Sequence, residues 1–245
     1  MEDGLVLRSD AEAVATLTLN RPDKLNAMNP AAFVELRGHL DAIAADDSVR
    51  VVVLRGAGRA FCAGNDLGSI AAGERAPSPH FQAETIDRLE ALPQATIAQV
   101  HGHCYTGALE LVLGCDLIVC ADDASIGDTH GQWGLVPSWG MSVRLPERVG
   151  VAKARELSFT AKRISGTEAA AIGLANQSVA LEDLDETVVE LAGQIAANSP
   201  GTVSMMKRLI LDQRNLDRTD ALERERLHPY GRPADMEERM RAGGR

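Results

Sequence analysis

Residues 95–121 read ATIAQVHGHCYTGALELVLGCDLIVCA. The apolar run 95–100 has the length and composition of a buried strand, and LIVCA at 117–121 has the same character. Between them GALELVL, residues 107–113, begins at a glycine and has helical character. Upstream, VRVVVLR at 49–55 is a short, strongly β-branched strand, and AVATLTL at 13–19 alternates well enough for another. Asn29 and Pro30 open the segment that continues AAFVELRGHLDAIAA. Asparagine as N-cap and proline in the first turn predict a helix over 30–45. Strand, helix, strand in this order suggests a right-handed crossover onto a mostly parallel sheet.

Farther along, residues 68–80 hold Gly68, Gly73, Pro77 and Pro79 with few large apolar groups, which predicts a mobile loop. A helix is expected over 81–91, ending before Pro93. Further helices are expected over 142–158 and 166–172, the latter capped by Ser165 or Thr167 near Glu168. From about 183 the pattern is almost wholly helical. An α/β part therefore runs into a helical tail, with the change between 140 and 180. No internal repeat is visible.

The length of 245 residues suits one large domain, with enough chain to bury a core unaided by metal or disulfide. Only 3% of the residues are aromatic, so Val, Leu, Ile, Ala and Met must fill that core. Lys and Arg number 25 against 35 Asp and Glu, a net charge of -10. That balance offers no basic footprint for nucleic acid, and rings for stacking on single strands are scarce. The start, MEDGLVLRSDAEA, has no secretory pattern, and no apolar stretch reaches the roughly 18 residues of a membrane span. Cys62, Cys104, Cys115 and Cys120 sit in or beside apolar segments without CxxC spacing. They read as reduced, mostly buried thiols of a cytoplasmic chain, and no metal site is expected.

Two glycine turns follow presumed strands, Cys62-Ala63-Gly64-Asn65 and Tyr105-Thr106-Gly107-Ala108. Backbone amides there could face one another as an oxyanion hole, or the glycines could serve only tight turning and close packing. Neither turn has a GxGxxG, a GxxxxGK[ST] or a GxSxG pattern. Glu110 stands alone in the apolar stretch GALELVLGCDLIVC. It is either on an exposed helix face or placed in a cavity, where burial would raise its pKa into a useful range. His101, His103 and His130 each could act as a base or be a hydrogen-bonded loop histidine.

The blocks Leu19-Asn20-Arg21-Pro22, Asn26-Ala27-Met28, Phe61-Cys62-Ala63-Gly64-Asn65-Asp66-Leu67, Val100-His101-Gly102, Gly107, Glu110, Cys115-Asp116, Gly134-Leu135-Val136-Pro137 and 169–175 stand in this order and spacing along the chain. In these, the chain resembles the enoyl-CoA hydratase/isomerase, or crotonase, family over about residues 13–210. The resemblance implies an α/β fold, a crotonase-like β/α spiral core over 1–190 and a helical C-terminal trimerisation region over 191–245. It implies an acyl-CoA thioester substrate, with coenzyme A part of that substrate and no separate cofactor. It also implies a homotrimer or a dimer of trimers.

By the same resemblance, the amides of Ala63 and Gly107 are the oxyanion donors. Lys24, Leu25, Ala27, Ala63, Asp66 and Leu67 line the adenine and pantetheine site. Glu110 matches the first of two glutamates that hydratases of the family place around water. His130 stands at the second, which leaves hydration of a 2-enoyl-CoA as the expected reaction. Isomerisation, C–C or thioester hydrolysis, decarboxylation and non-catalytic acyl-CoA binding are the alternatives. Thr106 stands where small residues are usual, and its side chain narrows the expected acyl pocket. Ser138 stands where relatives that dehalogenate carry an acid. Trp133 and Trp139 bracket the region after His130, as an acyl-pocket wall or as simple packing. The tail lacks the usual ending, and Arg239, Arg241 and Arg245 are weak substitutes for phosphate contacts.

Overall fold

The computed structural model describes residues 4–243. The strands are β1 (Val6–Ala11), β2 (Val14–Leu19), β3 (Val51–Gly56), β4 (Ala95–Val100), β5 (His103–Tyr105), β6 (Leu117–Ala121), β7 (Ser125–Gly127), β8 (Ile164–Ser165) and β9 (Gln177–Val179). The α-helices are α1 (Pro30–Ala44), α2 (Leu67–Ala71), α3 (Phe81–Glu90), α4 (Gly107–Leu113), α5 (Met141–Val149), α6 (Val151–Thr160), α7 (Gly166–Ala171), α8 (Leu184–Ala196), α9 (Pro200–Asp212), α10 (Arg218–Arg226) and α11 (Met236–Arg241).

A six-stranded sheet runs β1-β2-β3-β4-β6-β9, and a three-stranded sheet runs β5-β7-β8. From β2 to β9 every pairing in the larger sheet is parallel, so each step needs a crossover segment. The expected mostly parallel sheet is therefore present. β1 is an antiparallel edge strand on β2, which the sequence did not announce because its outer residues are exposed and polar. All six residues of β4 are buried, as the continuous apolar run requires of a central strand covered on both faces.

Helix α1 begins as its sequence predicts, with the Asn29 side chain accepting from the Ala32 amide at 3.0 Å and proline at the first turn. Its inward stripe of Phe33, Leu36, Leu40 and Ile43 is fully buried. Each such side chain contributes about 2 kcal/mol from removed apolar surface. The Ser165–Glu168 capping box opens α7. The single helix expected over 142–158 is two, α5 and α6, separated by Gly150 at φ 76° and ψ 156°, outside the helical region. Residues 68–80 are not all loop, since Asp66 caps the short α2 through the amides of Gly68 and Ser69.

One hydrophobic cluster extends from Val6 to Ala192. The expected division at 190/191 falls inside α8, which packs on the sheet through Leu184, Val188 and Ala192. Beyond it, Ser199 and Lys207 are buried, and α10 and α11 bury no residue. Among the described residues, no helix is long and apolar enough to cross a membrane. The four cysteines are free and buried, as expected.

Candidate active site

Every residue of α4 is buried, so its fourth residue, Glu110, cannot reach solvent. The placement left open by the sequence resolves to a carboxylate with 1% exposure. Its Oε1 accepts the Trp139 amide at 2.8 Å and the Met141 amide at 3.1 Å. Its Oε2 lies 3.6 Å from Nε2 of His130. Burial pushes the Glu110 carboxyl up, and nearby Asp128 adds to that; the two amides and His130 pull it back without cancelling the rise.

His130 is itself buried, at the start of a 3-10 turn running to Trp133. Asp128 Oδ1 lies 2.6 Å from His130 Nδ1 and also accepts the His130 amide at 3.2 Å. Burial raises the Asp128 carboxyl, but hydrogen bonds from His130 and Ser158 outweigh it and hold the group below its ordinary range. An ionised Asp128 accepts a hydrogen bond from Nδ1–H, so a neutral imidazole presents its lone pair at Nε2, toward Glu110. Asp128, a site residue that sequence reasoning missed, therefore sets the tautomer. An aspartate two residues before a histidine in a polar turn was the available signal.

Of the three candidate histidines, only His130 meets Glu110. His101 Nε2 lies 2.9 Å from the Gly58 carbonyl, and His103 Nδ1 lies 3.0 Å from the Tyr105 hydroxyl.

The two glycine turns do lie side by side. Gly64 has φ 105°, and a Cβ there would sit 2.7 Å from the Tyr105 carbonyl and 3.6 Å from the Gly107 nitrogen. One expected donor needs correction. The Ala63 amide donates to the Leu25 carbonyl at 2.9 Å and is not available to a substrate. Among the described residues, the amides of Asn65 and Gly107 have no protein acceptor. The reason is local. Met28 bonds the Gly64 carbonyl and the Asp66 amide in a parallel bridge, which turns the intervening Asn65 amide to the opposite side.

The remaining expected binding residues come together in the same place, in different roles. Residues 21–28 are zipped onto 63–66 by the Ala63, Met28 and Asp66 amides. Lys24 is exposed, and Leu25 and Ala27 are half-buried beside that seam. The Asp66 carboxylate is occupied by the α2 cap and by Arg21 at 2.8 Å, so it shapes the loop instead of offering a free group. Leu67 is 44% exposed at the start of α2. Buried Asn26, from the Asn26-Ala27-Met28 block, ties the turn to the Ala57 and Ala60 carbonyls at 2.8 and 2.7 Å.

Thr106 adopts φ 55° and ψ -113°, the backbone of the first central position of a type II′ turn. A β-branched residue there is strained, and the strain aims the following Gly107 amide. The Thr106 and Thr129 hydroxyls share a hydrogen bond at 2.6 Å, and the Thr106 amide donates to the Gly127 carbonyl. The tryptophan pair separates. Trp139 is buried, its ring packed over Gly107 and edge-on to Phe33 at 5.0 Å. Trp133 is 60% exposed. In the tail, Arg239 bonds Asp235 and the Ala197 carbonyl, and Arg241 pairs with Glu237. Arg245 lies outside the described residues.

A cavity of about 1220 Å³ lies elsewhere, at the far end of α4, between Leu113–Leu117, α5 and α9. Ala63, Gly107, Glu110 and His130 do not line it.

The family model described as enoyl-CoA hydratase/isomerase matches residues 9–241. A protein of Arabidopsis thaliana named probable enoyl-CoA hydratase 1, peroxisomal, is 32% identical over 231 residues, covering 94% of this chain and 87% of that protein. The 1,2-epoxyphenylacetyl-CoA isomerase of Escherichia coli is 32% identical, covering 97% of this chain and 94% of its own length. The crystal structure of an enoyl-CoA hydratase from Bacillus anthracis superposes with a TM-score of 0.87 at 33% identity, over 91% of this chain and 89% of that one. The chain belongs to the enoyl-CoA hydratase/isomerase family and has its fold.

Proposed function

We propose that this protein is an enoyl-CoA hydratase, adding water across the C2=C3 bond of a 2-enoyl-CoA thioester. The observation that carries this reading is the buried Asp128–His130–Glu110 array, with His130 Nε2 facing the Glu110 carboxyl. The thioester oxygen accepts the Asn65 and Gly107 amides, which stabilise the enolate charge without reorganising. The oxygen of water bonds to C3, and its proton passes to His130 Nε2. The enolate carbon C2 takes a proton from Glu110, which burial keeps protonated more readily than an exposed glutamate. Return of the proton from His130 to Glu110, relayed through water, restores the site.

Residues 24–27 beside the 63–67 turn support a seat for the adenine and pantetheine of the substrate. Exposed apolar side chains include Trp133, Val136 and Phe159 within 133–159 and Met206, Ile210 and Leu227 in the helical region. They support self-association into a trimer or pair of trimers, with the helical region 191–245 contributing. The four buried thiols fit a reducing compartment such as the cytoplasm.

A second reading, isomerisation, is favoured by one feature. A histidine base beside a carboxyl of raised pKa can also move a proton between two carbons of an acyl chain. Incubation with crotonyl-CoA and longer and aromatic enoyl-CoAs, read by absorbance and mass, separates the two. Hydration adds the mass of water with the thioester intact, and isomerisation leaves the mass unchanged. Absence of water addition to every thioester would overturn the hydratase reading.

A further inference from the structure

We propose that Arg144 is a positioning residue for the active carboxylate: it fixes the 139–141 segment whose two amides hold Glu110. The segment has two faces. Toward Glu110 it presents the Trp139 and Met141 amides, at 2.8 and 3.1 Å from Oε1. Toward α5 it presents the Trp139 carbonyl, which accepts Nη1 of Arg144 at 2.9 Å. The residue between the two amides is Gly140, at φ 114°, and a Cβ there would overlap the Arg144 guanidinium. Gly140 therefore serves both the turn and the close approach of the arginine.

The guanidinium is in turn anchored on α3. Its Nη2 bonds Asp87 at 2.6 Å and Glu90 at 2.8 Å, and its Nε bonds Glu90 at 3.2 Å. The arginine itself is buried, at 8% exposure. A planar fork bonding two carboxylates and a carbonyl at once is a geometry that lysine cannot reproduce. Glu110 thus takes its position from α3 through one side chain, although no hydrogen bond or ion pair joins Arg144 to it. The titratable groups that face Glu110 itself are His130 at 3.6 Å and, behind it, Asp128. Arg144 acts by a route separate from both.

Removal of the fork would loosen the 139–141 amides. Those amides favour the ionised carboxylate, so the carboxyl should then titrate at higher pH. The inference rests on Glu110 being the acid/base group, yet its test can be read without substrate. The ¹³C resonance of the Glu110 carboxyl is followed through a pH titration of labelled protein and assigned by its absence in Glu110→Gln. Arg144→Lys keeps the positive charge and loses the fork. It should raise the Glu110 midpoint by about half a pH unit or more, lower kcat several-fold and leave KM close to wild type. Arg144→Gln should move the midpoint at least as far. If Arg144→Gln does not fold, Arg144→Lys alone decides the matter. A folded Arg144→Lys whose Glu110 titrates as in the wild type would overturn the proposal and leave Arg144 as ordinary support. Full activity in Glu110→Gln would instead overturn the catalytic reading, whatever the titration shows.

Discussion

Helices α4 and α10 are close in length and opposite in surroundings. Every residue of α4 is buried, Glu110 among them, while α10 buries none of its residues. Around α4, Glu110 is held by the buried amides of Trp139 and Met141, and bulk solvent does not make good the loss of either. Around α10, contacts such as Arg224 with Asp212 at 2.9 Å are exposed, and water competes for them. The proposed chemistry is therefore concentrated where substitutions are least forgiving, and the exposed surface of α10 should tolerate change within a single chain.

The sharpest way to break that contrast is Gly64→Ala. The added Cβ meets the Tyr105 carbonyl at 2.7 Å on a backbone with φ 105°, forcing the two amide turns apart. Turnover should fall by about 10²–10³-fold, the effect of losing an oxyanion donor, in a protein whose far-ultraviolet circular dichroism is retained. Next comes His130→Ala, which removes one of the two proposed acid/base groups. Its kcat should fall about 10²-fold or more, measured on the acyl-CoA thioester that the wild type turns over best. Asp128→Asn should cost about tenfold or more through the wrong His130 tautomer, without weakening substrate binding.

A subtler prediction concerns stability. The folded-state pKa of Glu110 lies above its unfolded value, so the folded protein holds a proton that the unfolded chain releases. Wild type should lose stability relative to Glu110→Gln as pH rises from the ordinary glutamate range through the raised folded value. Asp128 works in the opposite sense. Its depressed pKa contributes stability above the unfolded value, lost as pH falls through the folded one. Melting temperatures of wild type and Glu110→Gln across this range check the sign, and a constant difference would contradict it. At the far end of the scale is Arg241→Ala in α11. Its ion pair with Glu237 is exposed on both sides, so melting temperature and turnover should both stay at wild-type values.

The same contrast explains what could be read from sequence. The α/β order, the start of α1, the α4 helix and the α7 cap were legible because each rests on local patterns of period, capping and proline. The second sheet was not, since β5, β7 and β8 hold two or three residues each, too few for alternation to register. Glu110 was visible as an oddity, but its burial depends on how α5 and β5 pack against α4. His130 was one of three candidate histidines until the resemblance singled it out, and Asp128 escaped because an aspartate in a polar turn looks solvated until its partner is located. The donor misplaced at Ala63 differs from Asn65 only in which way its amide points. That direction is set by the distant Leu25 and Met28.

The most direct test of the central claim is the hydration rate of Glu110→Gln beside wild type on the same 2-enoyl-CoA. The account predicts water addition by the wild type and a loss of about 10²-fold or more in the variant, with thioester binding retained. A Glu110→Gln enzyme that hydrates within twofold of wild type would contradict it.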